Sequence, residues 1–124
     1  MSAEENITVV REMIAALDRS DWAAIEKHPG MGQTRKVHPM IHSIFPDYHH
    51  SIEQIMTDGD MVAVRLIASG THQAPFMGVA PTGKLITIGV LMMMRVKDGK
   101  IVEYWANADL ASTLEQLGLL QLPH

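Results

Sequence analysis

Glu103, Trp105, Asn107 and Asp109 recur at every second position near the C-terminus, the spacing that puts alternate side chains of an extended strand on one face. If the strand persists to Asp109, an indole, an amide and a carboxylate converge there. A carboxyl beside an indole is poorly solvated, which suits it to exchange protons with a carbon acid or a ketone near neutral pH. Asp109 is thus a candidate general acid and base, with Trp105 and Asn107 beside the substrate. The same residues allow a plainer reading, in which Asp109 is the N-cap of a C-terminal helix and Trp105 fills core.

A second candidate is His72, which follows the apolar positions Val64, Leu66 and Ala68 in alternation and would project from a neighbouring strand into the same cavity. A neutral imidazole there can donate a hydrogen bond to a carbonyl oxygen on which charge develops. Alternatively it is a rim histidine bonded to a backbone carbonyl. Arg65 falls on the opposite face and is read as structural, paired with a carboxylate at the sheet surface.

Metal chemistry finds little support. His49 and His50 are adjacent in an extended segment and point to opposite faces. His38 and His42 have the spacing of zinc ligands, but no Glu lies between them and no third ligand stands out. Met92 and Met94 share one strand face, where flexible thioethers would fill core or line a pocket of adaptable shape. No phosphate loop, nucleophile elbow or dinucleotide fingerprint is present, so neither metal nor cofactor is expected.

The elements that must position these groups follow from periodicity. Ser2 and Glu5 form a capping-box pattern, and Ile7, Val10, Ile14 and Leu17 predict a helix over Ala3 to Asp18. A short helix is expected from Ser20, ending before His28-Pro29-Gly30. Val37, Ile41 and Ile44 suggest a third, starting near His38 so that Pro39 occupies its first turn. Strands then follow over Ser51 to Thr57, Met61 to Thr71, Leu85 to Val96 and Ile101 to Ala108, joined at Asp58-Gly59-Asp60 and Asp98-Gly99, with a Pro/Gly-rich loop from Gln73 to Gly83. A last helix spans Leu110 to Leu117 and stops at Gly118. Helices followed by antiparallel strands predict an α+β fold, with a curved sheet and N-terminal helices enclosing a pocket.

A chain of 124 residues, 47% hydrophobic and 19% charged, has the size and composition of one globular domain. With a net charge of -4 and scattered basic residues it offers no surface for nucleic acid. It contains no cysteine, no signal-peptide pattern and no membrane-spanning run, so a cytoplasmic location is expected and no membrane partner.

Taken in order, Phe45-Pro46-Asp47-Tyr48-His49, Asp58-Gly59-Asp60-Met61-Val62, Gly70-Thr71-His72-Gln73, Pro81-Thr82-Gly83-Lys84, Asp98 to Trp105, Asp109 and Gln116-Leu117-Gly118 resemble the SnoaL-like polyketide ester cyclases, of the nuclear transport factor 2-like superfamily. The resemblance implies a cone-shaped fold and a cofactor-free intramolecular aldol cyclisation, in which one aspartate takes a proton from carbon and returns one to oxygen. The matching aspartate is Asp109. By the same match His72 and Trp105 belong to the pocket wall, and Asp47 and His49 to a polar cluster near its mouth. The N-terminal third departs from the pattern: a strand and loop of the family are reduced to Glu26 to Gly32, with His28-Pro29 as the remnant of a His-x-Pro element, implying a smaller or more open pocket.

Two readings of different class follow: an acid/base enzyme acting on a small ketone or ester, and a non-catalytic module holding a hydrophobic metabolite. A hydrolase of the same fold is a third. A homodimer is expected in each case, because a sheet covered on one side leaves an apolar outer face.

Overall fold

The structure, a computed structural model, describes residues 2–121 and 123. Helix α1, Ala3–Asp18, opens with the complete capping box: the Ser2 hydroxyl accepts from the Glu5 N–H and the Glu5 carboxylate accepts from the Ser2 N–H. Its buried face carries Val10, Met13, Ile14 and Leu17, with Asn6 rather than Ile7 as the buried residue of the first turns. Ser20 adopts a left-handed backbone (φ 57°), so α2, Trp22–Glu26, begins later than expected and takes its cap from Asp21.

Helix α3, Gly32–Ile44, runs straight out of a 3-10 turn at Pro29–Met31 and places Pro39 in its interior, correcting the expected start near His38. An interior proline deletes one helical hydrogen bond and costs about 3 kcal/mol. What offsets it is a continuous inward stripe: Met31, Thr34, His38 and Phe45 are buried, with Ile41 packed beside Phe45. Two members of that stripe are polar, which hides it from a hydrophobicity pattern.

Four antiparallel strands, β1 (His49–Asp58), β2 (Met61–Thr71), β3 (Leu85–Lys97) and β4 (Lys100–Ala108), form one open sheet in sequence order, not closed into a barrel. Asp98 and Gly99 both have positive φ, the backbone of a tight hairpin turn. Bulges interrupt the ladders between Ile52 and Gln54 and between Arg95 and Val96. Each adds a residue on one side and bends the sheet. The first lets both Ile52 and Ile55 turn inward, and the second brings Ile101 and Tyr104 to the same face. Val62, Val64, Leu66, Ala68, Met92 and Met94 complete a core beneath α1 and α2. Helix α4, Leu110–Gln116, follows β4 directly, its C-cap Leu117 leading to Gly118 at φ 81°.

Among the described residues no helix is long and apolar enough to cross a membrane.

Candidate functional site

One end of the sheet, α3 and α4 enclose an apolar pocket of about 230 Å³. Ile41 and Phe45 of α3 form one wall, with Tyr48 at the approach to β1. Ala68, Gly70, Ile86 and Ile88 form the floor, and Ala108, Leu110 and Thr113 the far side. Phe76 closes it from the loop after β2, where Phe76 and Val79 bridge across a turn with Met77 and Gly78 at positive φ. Gly70 is required here: a Cβ would stand 2.6 Å from the Cβ of Phe45. Larger depressions lie elsewhere: two, of about 360 and 630 Å³, on the sheet's outer face, and one of about 480 Å³ between α1, α2 and the turn at Gly99.

The residues selected from sequence divide between the two faces. Glu103, Trp105 and Asn107 do share a face, but it is the outer one, because Tyr104, Ala106 and Ala108 pair with the inward Met94, Met92 and Val90. Trp105 lies opposite Met93, 49% exposed, and lines an outer groove with Asn107 and the edge of Met92. Neither it nor Asn107 lines the apolar pocket, and Met94 is sealed in the core. Arg65 forms no ion pair among the described residues; Arg95 takes that role, bonding Glu103 at 2.6 Å and Asp60 at 2.8 Å.

Asp109 lies between the pocket residues Ala108 and Leu110, yet its own side chain is exposed and lines the outer depression of about 630 Å³ together with Ser112. Its Oδ1 accepts from the Ser112 N–H at 3.1 Å, the N-cap bond of α4. His72 is fully buried. The Thr82 N–H donates to its Nδ1 at 3.2 Å, which places the ring proton on Nε2, and Nε2 has no partner. Phe45, a pocket residue, packs against this imidazole at 6.0 Å. Asp47 accepts from the N–H and hydroxyl of Thr71 at 2.6 and 2.7 Å, and these bonds hold its carboxyl below the usual carboxylate range. His49 touches the Asp47 carbonyl at 2.9 Å. Both are exposed, flanking the chain that carries Tyr48.

Sequence reasoning missed a cluster of rings behind the pocket. His38, His42, Tyr48 and His50 pack with centroids about 5 to 6 Å apart, joined by Trp22. His50 has a nearly sealed side chain, and Asp18 at the end of α1 fixes it: both carboxylate oxygens accept from its backbone N–H at 3.1 Å, and Oδ1 meets Nδ1 at 2.6 Å. His42 Nε2 reaches the Leu17 carbonyl at 3.0 Å. The spacing of His38, His42 and Phe45 along one helix face was the available signal; Asp18, 32 residues before His50, left none.

The cluster predicts how stability responds to acid. Burial, with the neighbouring His50 and His42, lowers the His38 pKa from 6.5 to about 4, and Nε2 has no acceptor to reward protonation. Since the unfolded chain binds this proton first, stability is full above pH 6.5 and falls as pH drops toward 4, by on the order of 3 kcal/mol. His38→Leu, of similar volume, is expected to flatten urea-unfolding stability between pH 6.5 and 4.5 without loss at pH 7. An unchanged slope in that variant would exclude His38 as its source.

A bent antiparallel sheet packed under N-terminal helices, with a pocket at one end, defines the nuclear transport factor 2-like class. The sequence profile of the SnoaL-like polyketide cyclases matches residues 4–117, and the chain belongs to that family. It is similar to AclR, a proposed hydroxylase from Streptomyces galilaeus, at 32% identity over 97% of this chain and all of that one, with a TM-score of 0.88. It is also similar to IdmH, a proposed polyketide cyclase from Streptomyces antibioticus, at 29% identity over 91% and 98% of the two chains and a TM-score of 0.82. A proposed SnoaL-like polyketide cyclase from Jannaschia, 20% identical over 98% of both chains with a TM-score of 0.79, shares the fold. No curated protein matches the chain.

Proposed function

We propose that the chain is a cofactor-free acid/base enzyme, performing an aldol-type cyclisation or an isomerisation on a small ketone- or ester-bearing substrate. The observation that carries this reading is the apolar pocket, small and walled by α3, the sheet and α4, with Asp109 seated between two of its lining residues. In this reading Asp109 moves the proton between carbon and oxygen. Its carboxylate lines the outer depression beside Ser112, so in this reading the start of α4 must turn to carry it between Ala108 and Leu110 into the pocket. His72 lies outside the pocket lining, sealed behind Phe45, so in this reading Phe45 must move aside before the orphaned Nε2–H can steady the developing oxyanion. A volume of about 230 Å³ fits a one- or two-ring substrate better than a bulky polycycle.

A second reading is favoured by one observation: the Asp109 carboxylate is engaged as a helix cap, as in a module that binds a hydrophobic metabolite without transforming it. Both readings use the same pocket. Methyl-labelled protein titrated with ethyl 2-oxocyclohexanecarboxylate is expected to show perturbations at Ile41, Ile86, Ile88 and Leu110. Perturbations confined to Leu91 and Met93 would move the ligand to the outer face and remove both readings.

That outer face suits a second copy of the chain. Met56, Leu91, Met93 and Trp105 are exposed at 47 to 61% around one groove, and contiguous apolar surface of this kind marks an interaction site. Sedimentation at twice 13.7 kDa is expected, and a monomer mass at micromolar concentration would contradict it.

A further inference from the structure

The pocket's wall is almost devoid of polar side chains, which makes its hydroxyl groups informative. Thr113 is committed, since its Oγ1 donates to the Asp109 carbonyl at 3.4 Å. Tyr48 is not: among the described residues its hydroxyl has no hydrogen-bond partner, although the residue lines the pocket. The Tyr48 oxygen is not among the sealed polar atoms left without a partner, so solvent reaches it and a ligand oxygen can take the place of that water.

The ring is also held unusually firmly. His50 meets it edge-on at 5.1 Å and 82°, His42 at 5.8 Å and 82°, and His38 at 5.8 Å and 67°. His50 is in turn locked to Asp18. Burial, with Tyr104 and Asp18 nearby, pushes the phenol up to about 12, so it keeps its proton at neutral pH and has an O–H to donate. A rigid, protonated donor without an acceptor, set in an otherwise apolar wall, is suited to orient one oxygen of a ligand.

We infer that Tyr48 is the hydrogen-bond donor of the pocket, recognising the carbonyl oxygen of a ketone or ester ligand and fixing which end of it faces Asp109. This rests on the proposed function for the choice of ligand class. It involves no bond cleavage at Tyr48, whose proton stays on its oxygen.

The test uses cyclohexanone labelled with 13C at the carbonyl, bound to the wild-type chain and to Tyr48→Phe, which keeps the ring packing. In the wild type the bound carbonyl resonance is expected to move downfield of its position in an apolar solvent. In Tyr48→Phe that displacement is expected to vanish, with affinity about tenfold weaker. A wild-type carbonyl resonance at the apolar-solvent position overturns the inference even if the variant folds poorly. An unchanged resonance and affinity in Tyr48→Phe overturns it too, and leaves the proposed function standing if Asp109-dependent proton exchange persists. Failure of the ketone to enter the pocket at all overturns both.

Discussion

Asp109→Asn is expected to slow proton exchange on a bound β-keto ester by roughly 10²- to 10⁴-fold while ligand affinity is retained, the contribution a positioned general base makes. The substitution is informative because it changes one thing. Asparagine caps helices as well as aspartate does, and its side-chain oxygen can keep the Ser112 N–H bond, so α4 and the pocket residues Leu110 and Thr113 stay in place. The shape of the site survives and its basicity does not. Titration of the variant by NMR checks the first point and the exchange rate the second. An unchanged rate would assign Asp109 to the helix cap alone and leave the chain as a binding module.

The largest effect on stability is expected at Asp18. Asp18→Ala removes the acceptor for the backbone N–H and the Nδ1 of His50, and the His50 side chain is only 1% exposed. Two donors then lose their partner in a site that water enters poorly, each at about 1 to 3 kcal/mol, for a total of roughly 2 to 6 kcal/mol. The loss also separates the end of α1 from the start of β1. Asp18→Asn, which keeps an oxygen in place, should recover a large part of it. Equilibrium unfolding in urea measures both variants at pH 7. A cost below about 1 kcal/mol for Asp18→Ala would mean that water replaces the carboxylate, and that the ring cluster is less sealed than its exposure indicates.

The fold was legible where chemistry is local. The Ser2 and Glu5 pair set the start of α1, and Asp98-Gly99 set the second hairpin. The ordered motifs from Phe45 to Gly118 pointed to the family that the profile over residues 4–117 establishes. At the start of α3, tertiary packing outweighed a local rule. Pro39 sits inside α3 because Met31, Thr34, His38 and Phe45 pack inward on both sides of it. A reader weighing proline alone starts the helix too late.

The face of β4 was the harder question. Alternation correctly groups Glu103, Trp105 and Asn107 but says nothing about which face is concave. The bulge that leaves Val102 unpaired lets Ile101 and Tyr104 both turn inward, sending Trp105 out beside Met93. A tryptophan on a strand naturally suggests core; here tyrosine and two alanines fill the inner face and leave room for the pocket. The imidazoles of His38, His42 and His50 raised only the question of a metal, because the contact that organises them joins Asp18 to a strand 32 residues away.

The most direct test is deuterium incorporation at the acidic carbon of ethyl 2-oxocyclohexanecarboxylate in D2O, followed by NMR with the wild-type chain and with Asp109→Asn. Acid/base catalysis in the pocket predicts exchange well above the buffer rate for the wild type and near the buffer rate for the variant. Exchange at the buffer rate for the wild type, with the ester demonstrably bound against Ile41 and Leu110, would contradict it.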